Sequence, residues 1–196
     1  MLVNNAGYGS YGAIEDVPME EARRQVEVNL FGLARMIQLV LPTMRKNKFG
    51  KIVNISSVGG KVAFPFGGWY HATKFAVEGF SDSLRMEVAT FGIDVIVVEP
   101  GGIKTDWGII ASEHLKQSSA NGAYVGQASR VADNMKKNYS SEKYTKPELI
   151  AVAIGKAVTA RKPKTRYAVG YGAKPAVFMK RILSDRTIDK ISQKSV

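Results

Sequence analysis

The eight residues 93–100, IDVIVVEP, constrain the fold more than any other stretch of the chain. Consecutive apolar, β-branched side chains do not show the strict alternation of a strand with one wet face. They suit a central strand of a parallel sheet, covered by helices on both faces. Shorter strand-like runs accompany it: Leu2 and Val3 end one, KIVNISS (51–57) is another, and TRYAVG (165–170) is the last. Helical patterns separate them. In residues 15–48, Val26, Leu30, Leu33, Ile37, Val40 and Met44 fall on one apolar stripe, with Pro18 in the first turn. Pro42 is expected to kink or loosen the last turns of that helix. Residues 69–92 read as a second long helix closed by Gly92, and residues 146–160 as a third. Strands alternating with helices imply right-handed βαβ units, and so an α/β fold with a parallel sheet in one domain over residues 1–196.

Composition removes several classes of chemistry. The chain has no Cys and two His, His71 and His114, which excludes disulfides, thiolate catalysis, Cys–zinc sites and a His-rich metal centre. No apolar run reaches the ~20 residues of a membrane span, and no secretory leader is visible; a cytoplasmic location is the default expectation. The net charge of +11 is localised. Residues 1–135 hold 13 basic and 13 acidic side chains, whereas residues 136–196 hold 15 basic and 4 acidic ones. A solvated basic face on terminal helices is the simpler reading. A surface for anionic lipid or nucleic acid is the sharper one. Thin aromatic interleaving and the lack of a nucleic-acid motif favour the former and argue against nucleic acid or a membrane as partner.

The chemistry concentrates after the second strand. Tyr70 and Lys74 are four residues apart on a helical pattern, so they share one face. A nearby ammonium favours the phenolate and lowers a phenol's pKa from its usual ~10. Ser57 ends the preceding strand, at the edge where parallel α/β sheets place their sites. Alone, a Tyr-x-x-x-Lys pair is most often plain helix surface. Other residues have bland readings as well: Asn29 as a polar residue on an amphipathic helix, Thr105 as a helix cap, and Gly101 and Gly102 as turn glycines. Glu99 reads as hydrogen-bonded structure. Trp107, Phe64 and Phe66 serve equally as substrate wall or core. His71 projects about 100° from Tyr70 and is expected on the surface.

Five stretches in order, NNAG (4–7), VNLFG (28–32), NISSVGG (54–60), YHATK (70–74) and EPGGIKT (99–105), resemble the short-chain dehydrogenase/reductase family. The likeness is dense to about residue 108, and the SVGG and FPFGGWY stretches are most similar to its hydroxysteroid-type, retinol-type and related bacterial members. The resemblance implies a Rossmann-like parallel sheet and NAD- or NADP-dependent hydride transfer to or from an apolar alcohol or ketone, with steroid- and retinoid-type compounds among the candidates. It implies that Tyr70 is the general acid/base, that Lys74 lowers its pKa and holds the nicotinamide ribose, and that Ser57 orients the substrate oxygen. Asn29 would anchor a water relay from Lys74. Asn5, Ala6 and Gly7 would line the adenosine side of the cofactor, and Pro100, Gly101, Ile103 and Thr105 would wrap the nicotinamide. The segment of about 107–145 would cover the substrate, and it looks polar and mobile. Helices at 19–48 and 69–91 would join subunits of a homo-oligomer.

One family feature is missing from these residues. No Thr-Gly-x-x-x-Gly-x-Gly turn, which receives the dinucleotide pyrophosphate, occurs in the sequence. In the family, Asn-Asn-Ala-Gly ends the fourth strand, so the resemblance implies an incomplete sheet, with three strands and that turn absent. The chain as written is then expected to hold cofactor poorly. The alternative is an inactive shortened subunit that acts as an interaction module through its long helices.

Overall fold

In the computed structural model, residues 1–194 are described; residues 195 and 196 of the predicted basic terminus lie outside them. Four parallel strands, β1 (Leu2–Asn4), β2 (Gly50–Ile55), β3 (Ile93–Pro100) and β4 (Arg166–Val169), lie side by side in chain order. Val95, Ile96, Val97 and Val98 are almost wholly buried, as the unbroken apolar run requires.

Helices cover both faces. On one, α2 (Leu33–Lys46) and α3 (Gly68–Val88) bring Leu33, Ile37, Met44, Val77, Leu84 and Val88 against Ile52 and Val95. On the other, Ala157 of α6 (Glu148–Thr159), with Ile150 and Ile154, packs on Val53, Ile96 and Val98. A hairpin of α4 (Trp107–Ser118) and α5 (Val125–Tyr139) contributes a further apolar cluster around Tyr11 and Tyr70. The chain closes with α7 (Ala173–Ile182) and α8 (Asp185–Lys194).

The long helix expected over 15–48 differs in two ways. It is built from α1 (Met19–Val26), a π-helical turn over Glu27–Gly32, and α2. The loosening therefore sits around Asn29 and not at Pro42, which α2 passes without a break. Pro42 and Gln38, whose carbonyl loses its partner, are both exposed, so water can satisfy the freed group. Val26 and Leu30 are only partly buried, while Gln25 and Asn29 are fully enclosed. This end of the helix faces backbone rather than sheet: Gln25 Nε2 donates to the Ser10 carbonyl at 3.1 Å.

A buried polar chain ties the edge strand to the helix above it. Asn4 Nδ2 donates to Asn54 Oδ1 at 2.9 Å, Asn54 Nδ2 donates to Ser81 Oγ at 2.9 Å, and Ser81 Oγ donates to the Val77 carbonyl at 2.6 Å. Truncating the middle member strands two buried partners. Asn54→Ala is expected to cost about 2 kcal/mol in denaturant unfolding, and Ser81→Ala, at the end of the chain, less.

Candidate active site

Tyr70, Thr73 and Lys74 occupy the first turns of α3, and the C-terminal ends of β1, β2 and β3 lie beside them. Ser57 follows β2 directly. Its Oγ accepts from the Gly59 amide at 3.0 Å, which starts the tight turn Val58–Gly60. The Ser57 hydroxyl also hydrogen-bonds the Tyr70 phenol and pulls its pKa down. Burial acts the other way and dominates, so the phenol is pushed up to about 12. Its ring is enclosed by Trp107, with centroids 5.0 Å apart, by His71 at 5.7 Å and by Tyr11 at 5.8 Å.

Lys74 stands below this ring, with Nζ 5.8 Å from its centroid, and donates to the Ile55 carbonyl at 2.9 Å. Burial lowers the ammonium pKa to about 8, while the Glu78 carboxylate pulls it up. In this covered arrangement the phenol's shift is set by burial and opposed by Ser57, with Lys74 turned to another partner. The ammonium is committed to a backbone carbonyl, and desolvation of the covered phenol outweighs the Ser57 hydrogen bond.

Asn29 is brought to the same place by the π turn, a local expansion common at functional sites. Its Oδ1 accepts from the Tyr8 amide at 3.0 Å, and its Nδ2 donates to the Tyr8 carbonyl at 2.9 Å and to Thr73 Oγ1 at 3.1 Å. Gly7 lies in front. A methyl group there would stand 3.1 Å from Asn29 Oδ1 and 3.7 Å from Lys74 Nζ, so the absence of a side chain leaves this approach bare. Asn5, Ala6 and Gly7 are all exposed.

The loop after β3 forms the opposite rim. The Gly101 amide donates to the Val169 carbonyl at 2.8 Å and the Gly102 amide to the Tyr171 carbonyl at 2.9 Å. Gly101 must be glycine, because a Cβ would lie 2.2 Å from the Tyr171 oxygen. Pro100 ends β3 and Ile103 is buried, whereas Thr105 is exposed and does not cap α4 with its side chain. Ser57, Tyr70, Lys74, Asn29 and Gly7 thus converge, with Pro100 and Gly101 on the rim and Thr105 on the outside.

His71 corrects the sequence reading. It is buried, its Nε2 accepts from the Phe64 amide at 3.0 Å, and its Nδ1 pairs with the Gly59 carbonyl at 2.9 Å. These partners fix the neutral tautomer with the proton on Nδ1, and burial lowers its pKa. The imidazole pins the loop that carries Ser57 to the helix that carries Tyr70. Sequence reasoning also missed Thr73, which donates from Oγ1 to the Tyr70 carbonyl at 2.8 Å and so links Asn29 to α3. A hydroxyl three residues after Tyr70 was the available signal.

The family profile described as short chain dehydrogenase matches residues 1–116. The chain belongs to the short-chain dehydrogenase/reductase family. It is 34% identical over 97% of its length to a probable short-chain type dehydrogenase/reductase, VdlC, of Helicobacter pylori, of which it covers 69%. It is 39% identical over 87% of its length to a 3-ketodihydrosphingosine reductase of Bacteroides thetaiotaomicron, of which it covers 62%. A serine dehydrogenase solved with NADP+ matches with a TM-score of 0.70 and 25% identity, over 86% of this chain and 64% of that one. The chain spans between 61% and 70% of the length of the curated relatives it matches. Among the described residues of this short-chain dehydrogenase/reductase chain, no group of three or more acidic or His side chains could hold a metal ion, and no helix is long and apolar enough to cross a membrane.

The position of Glu78, one helical turn beyond Lys74, gives a direct check on the site's electrostatics. Lys74 should titrate near pH 8 by NMR of its side chain, and Glu78→Gln should move that titration lower, since it removes the carboxylate that favours the ammonium.

Proposed function

We propose that residues 1–196 carry the proton-transfer half of an NAD(P)-dependent oxidoreductase acting on an apolar ketone or alcohol. The observation that carries this reading is the convergence of Ser57, Tyr70 and Lys74 beside the bare approach at Gly7. The relatives agree with it: one is a 3-ketodihydrosphingosine reductase, and one solved neighbour, a serine dehydrogenase, is complexed with NADP+.

The chain's residues fit the nicotinamide end of such a cofactor. Lys74 Nζ would meet the ribose, Asn5, Ala6 and Gly7 would flank the path toward adenosine, and Pro100, Gly101, Ile103 and Thr105 would border the ring. When bound, the cofactor supplies or accepts the hydride. Tyr70 Oη gives its proton to the carbonyl oxygen on reduction, and Ser57 Oγ holds that oxygen in line. Lys74, as an ammonium, stabilises the phenolate left behind. Asn29, packed against the Tyr8 backbone next to Lys74, would seat a water that returns the proton. Burial keeps the phenol protonated in this covered form, the state from which Tyr70 can donate to a carbonyl oxygen.

The walls support an apolar substrate, a class that includes steroid- and retinoid-like ketones. Tyr11 and Trp107 flank the phenol, Phe66 packs behind them, and a cleft past Phe66 is bordered by Ile14, Pro65, Tyr124 and Arg130. The α4–α5 hairpin would act as the substrate cover, and it must lift Trp107 from Tyr70 for a ketone to enter. Val28, Phe31, Met36 and Leu39 are exposed along the π turn and α2, and Phe75 and Met86 along α3. These apolar faces support pairing of two copies through the two long helices.

Four outcomes test the reading. The 196-residue chain titrated with NADH or NADPH should bind more weakly than about 100 µM, because no Gly-rich pyrophosphate turn lies within it. In a form that includes a Thr-Gly-x-x-x-Gly-x-Gly segment, Tyr70→Phe should lower kcat by about 1,000-fold with cofactor binding nearly unchanged, and wild-type ketone reduction should decline above pH ~8 as Lys74 loses its proton. Normal turnover by the Tyr70→Phe enzyme would end the proposal. Phe31→Glu with Leu39→Glu should convert a dimer to a monomer in sedimentation velocity.

A further inference from the structure

The excess positive charge of the chain is not spread over a generic surface. Helix α7 contains Lys174, Lys180 and Arg181 and no acidic residue. Lys180 is neutralised by Asp185 at the start of α8. Lys174 and Arg181 are exposed, and they share one helical face with Phe178 and Ile182, each 62% exposed. The spacing 174, 178, 181, 182 places cation, aromatic ring, cation and aliphatic chain along one stripe. Arg186 and Lys190 of α8 are exposed as well.

The stripe starts at the rim of the site. The turn Gly170–Gly172, with φ of 94° and 71° at its two glycines, lies against Gly101 and Gly102 and leads into α7. From Tyr171, itself half exposed, a series of ring contacts runs inward: Tyr144 at 5.6 Å, then Tyr139 at 4.9 Å, Trp107 at 5.8 Å and Tyr70 at 5.0 Å. A series of ring contacts therefore links the head of the basic helix to the phenol.

We propose that the outward face of α7 docks on an anionic phospholipid bilayer, with Phe178 and Ile182 entering the headgroup boundary and Lys174 and Arg181 pairing with lipid phosphates. Charge complementarity selects this occupant. A second copy of the chain would bring the same unopposed cations against each other. Nucleic acid would satisfy the cations but leave an aliphatic and an aromatic side chain desolvated without a matching apolar surface. A bilayer satisfies both, since interfacial helices combine basic residues with an apolar edge. The sequence alone favours a merely solvated basic face; the exposed Phe178 and Ile182 beside the cations are what alter that reading. This docking is independent of hydride transfer, so failure of either leaves the other standing.

Co-sedimentation of the 196-residue chain with vesicles tests the proposal. Vesicles of phosphatidylcholine containing roughly 30% phosphatidylglycerol should retain the protein, whereas pure phosphatidylcholine and high salt should release it. The double variants Lys174→Glu/Arg181→Glu and Phe178→Ser/Ile182→Ser should each bind about tenfold more weakly, with unchanged circular dichroism, as substitutions of exposed side chains allow. Absence of binding to the anionic vesicles, or equal binding by all variants, overturns the proposal. So does a change from dimer to monomer in Phe178→Ser/Ile182→Ser without vesicle binding, which would give the face to a second copy. Duplex DNA binding that depends on the cations and not on Phe178 and Ile182, again without vesicle binding, would give it to nucleic acid.

Discussion

Glu78 of α3 meets Lys61 at 2.7 Å and Arg166 of β4 at 3.1 Å, and both cations also face Glu99 of β3, at 3.7 Å and 3.3 Å. Arg166 reaches on to Asp82 at 2.7 Å. Two nearly buried carboxylates thus sit between two half-buried cations, and the group ties the helix that carries Tyr70 and Lys74 to two strands. Burial and the nearby Glu78 raise the Glu99 pKa, while Lys61 and Arg166 oppose that rise. Such a group contributes little net stability if well-packed apolar residues are the comparison, but removal of one member leaves the others unpaired, at about 3–5 kcal/mol. Its value lies in placement. It fixes the rotation of α3 about its axis, and that rotation decides whether Tyr70 faces Ser57 or solvent.

The covered phenol is the second consequence of this scaffold. Trp107 and Tyr11 shut out water, which keeps Tyr70 protonated, and the same desolvation weakens Lys74 as a cation. A phenol closed in this tightly keeps its proton, and any molecule that is to reach it needs the cover to open. The α4–α5 hairpin over it packs through Ala111, Ala128 and Ala132, which let the two helices approach closely, together with Leu115 and Val131. Close packing of the two helices on each other fits an element that moves as a unit.

The parallel sheet and the helix of Tyr70 and Lys74 were legible because their signals are dense: four consecutive β-branched or aliphatic residues in β3, and a motif of fixed spacing in α3. The rest was hidden by the kind of interaction involved. Alanine contacts give a weak periodic signal, so the hairpin reads as a polar, mobile stretch. The π turn leaves no mark in a stripe of apolar residues, since its cause is the demand of one buried amide, Asn29, for the Tyr8 backbone. His71 is misread because helical angle alone cannot tell that the loop 58–66 folds over that side of α3. The aromatic series from Tyr171 to Tyr70 draws on five segments whose order in the chain says nothing of their contact.

The chain contains two tryptophans, and they are Trp69 and Trp107. One precedes Tyr70 in sequence, and the other lies on its ring with Tyr139 on its far side. One of the two sources of the molecule's long-wavelength fluorescence, Trp107, therefore sits directly on the Tyr70 phenol. Hinge motion of the hairpin, entry of a quenching ring or loss of packing around the phenol can each be followed in real time, without a label and without turnover.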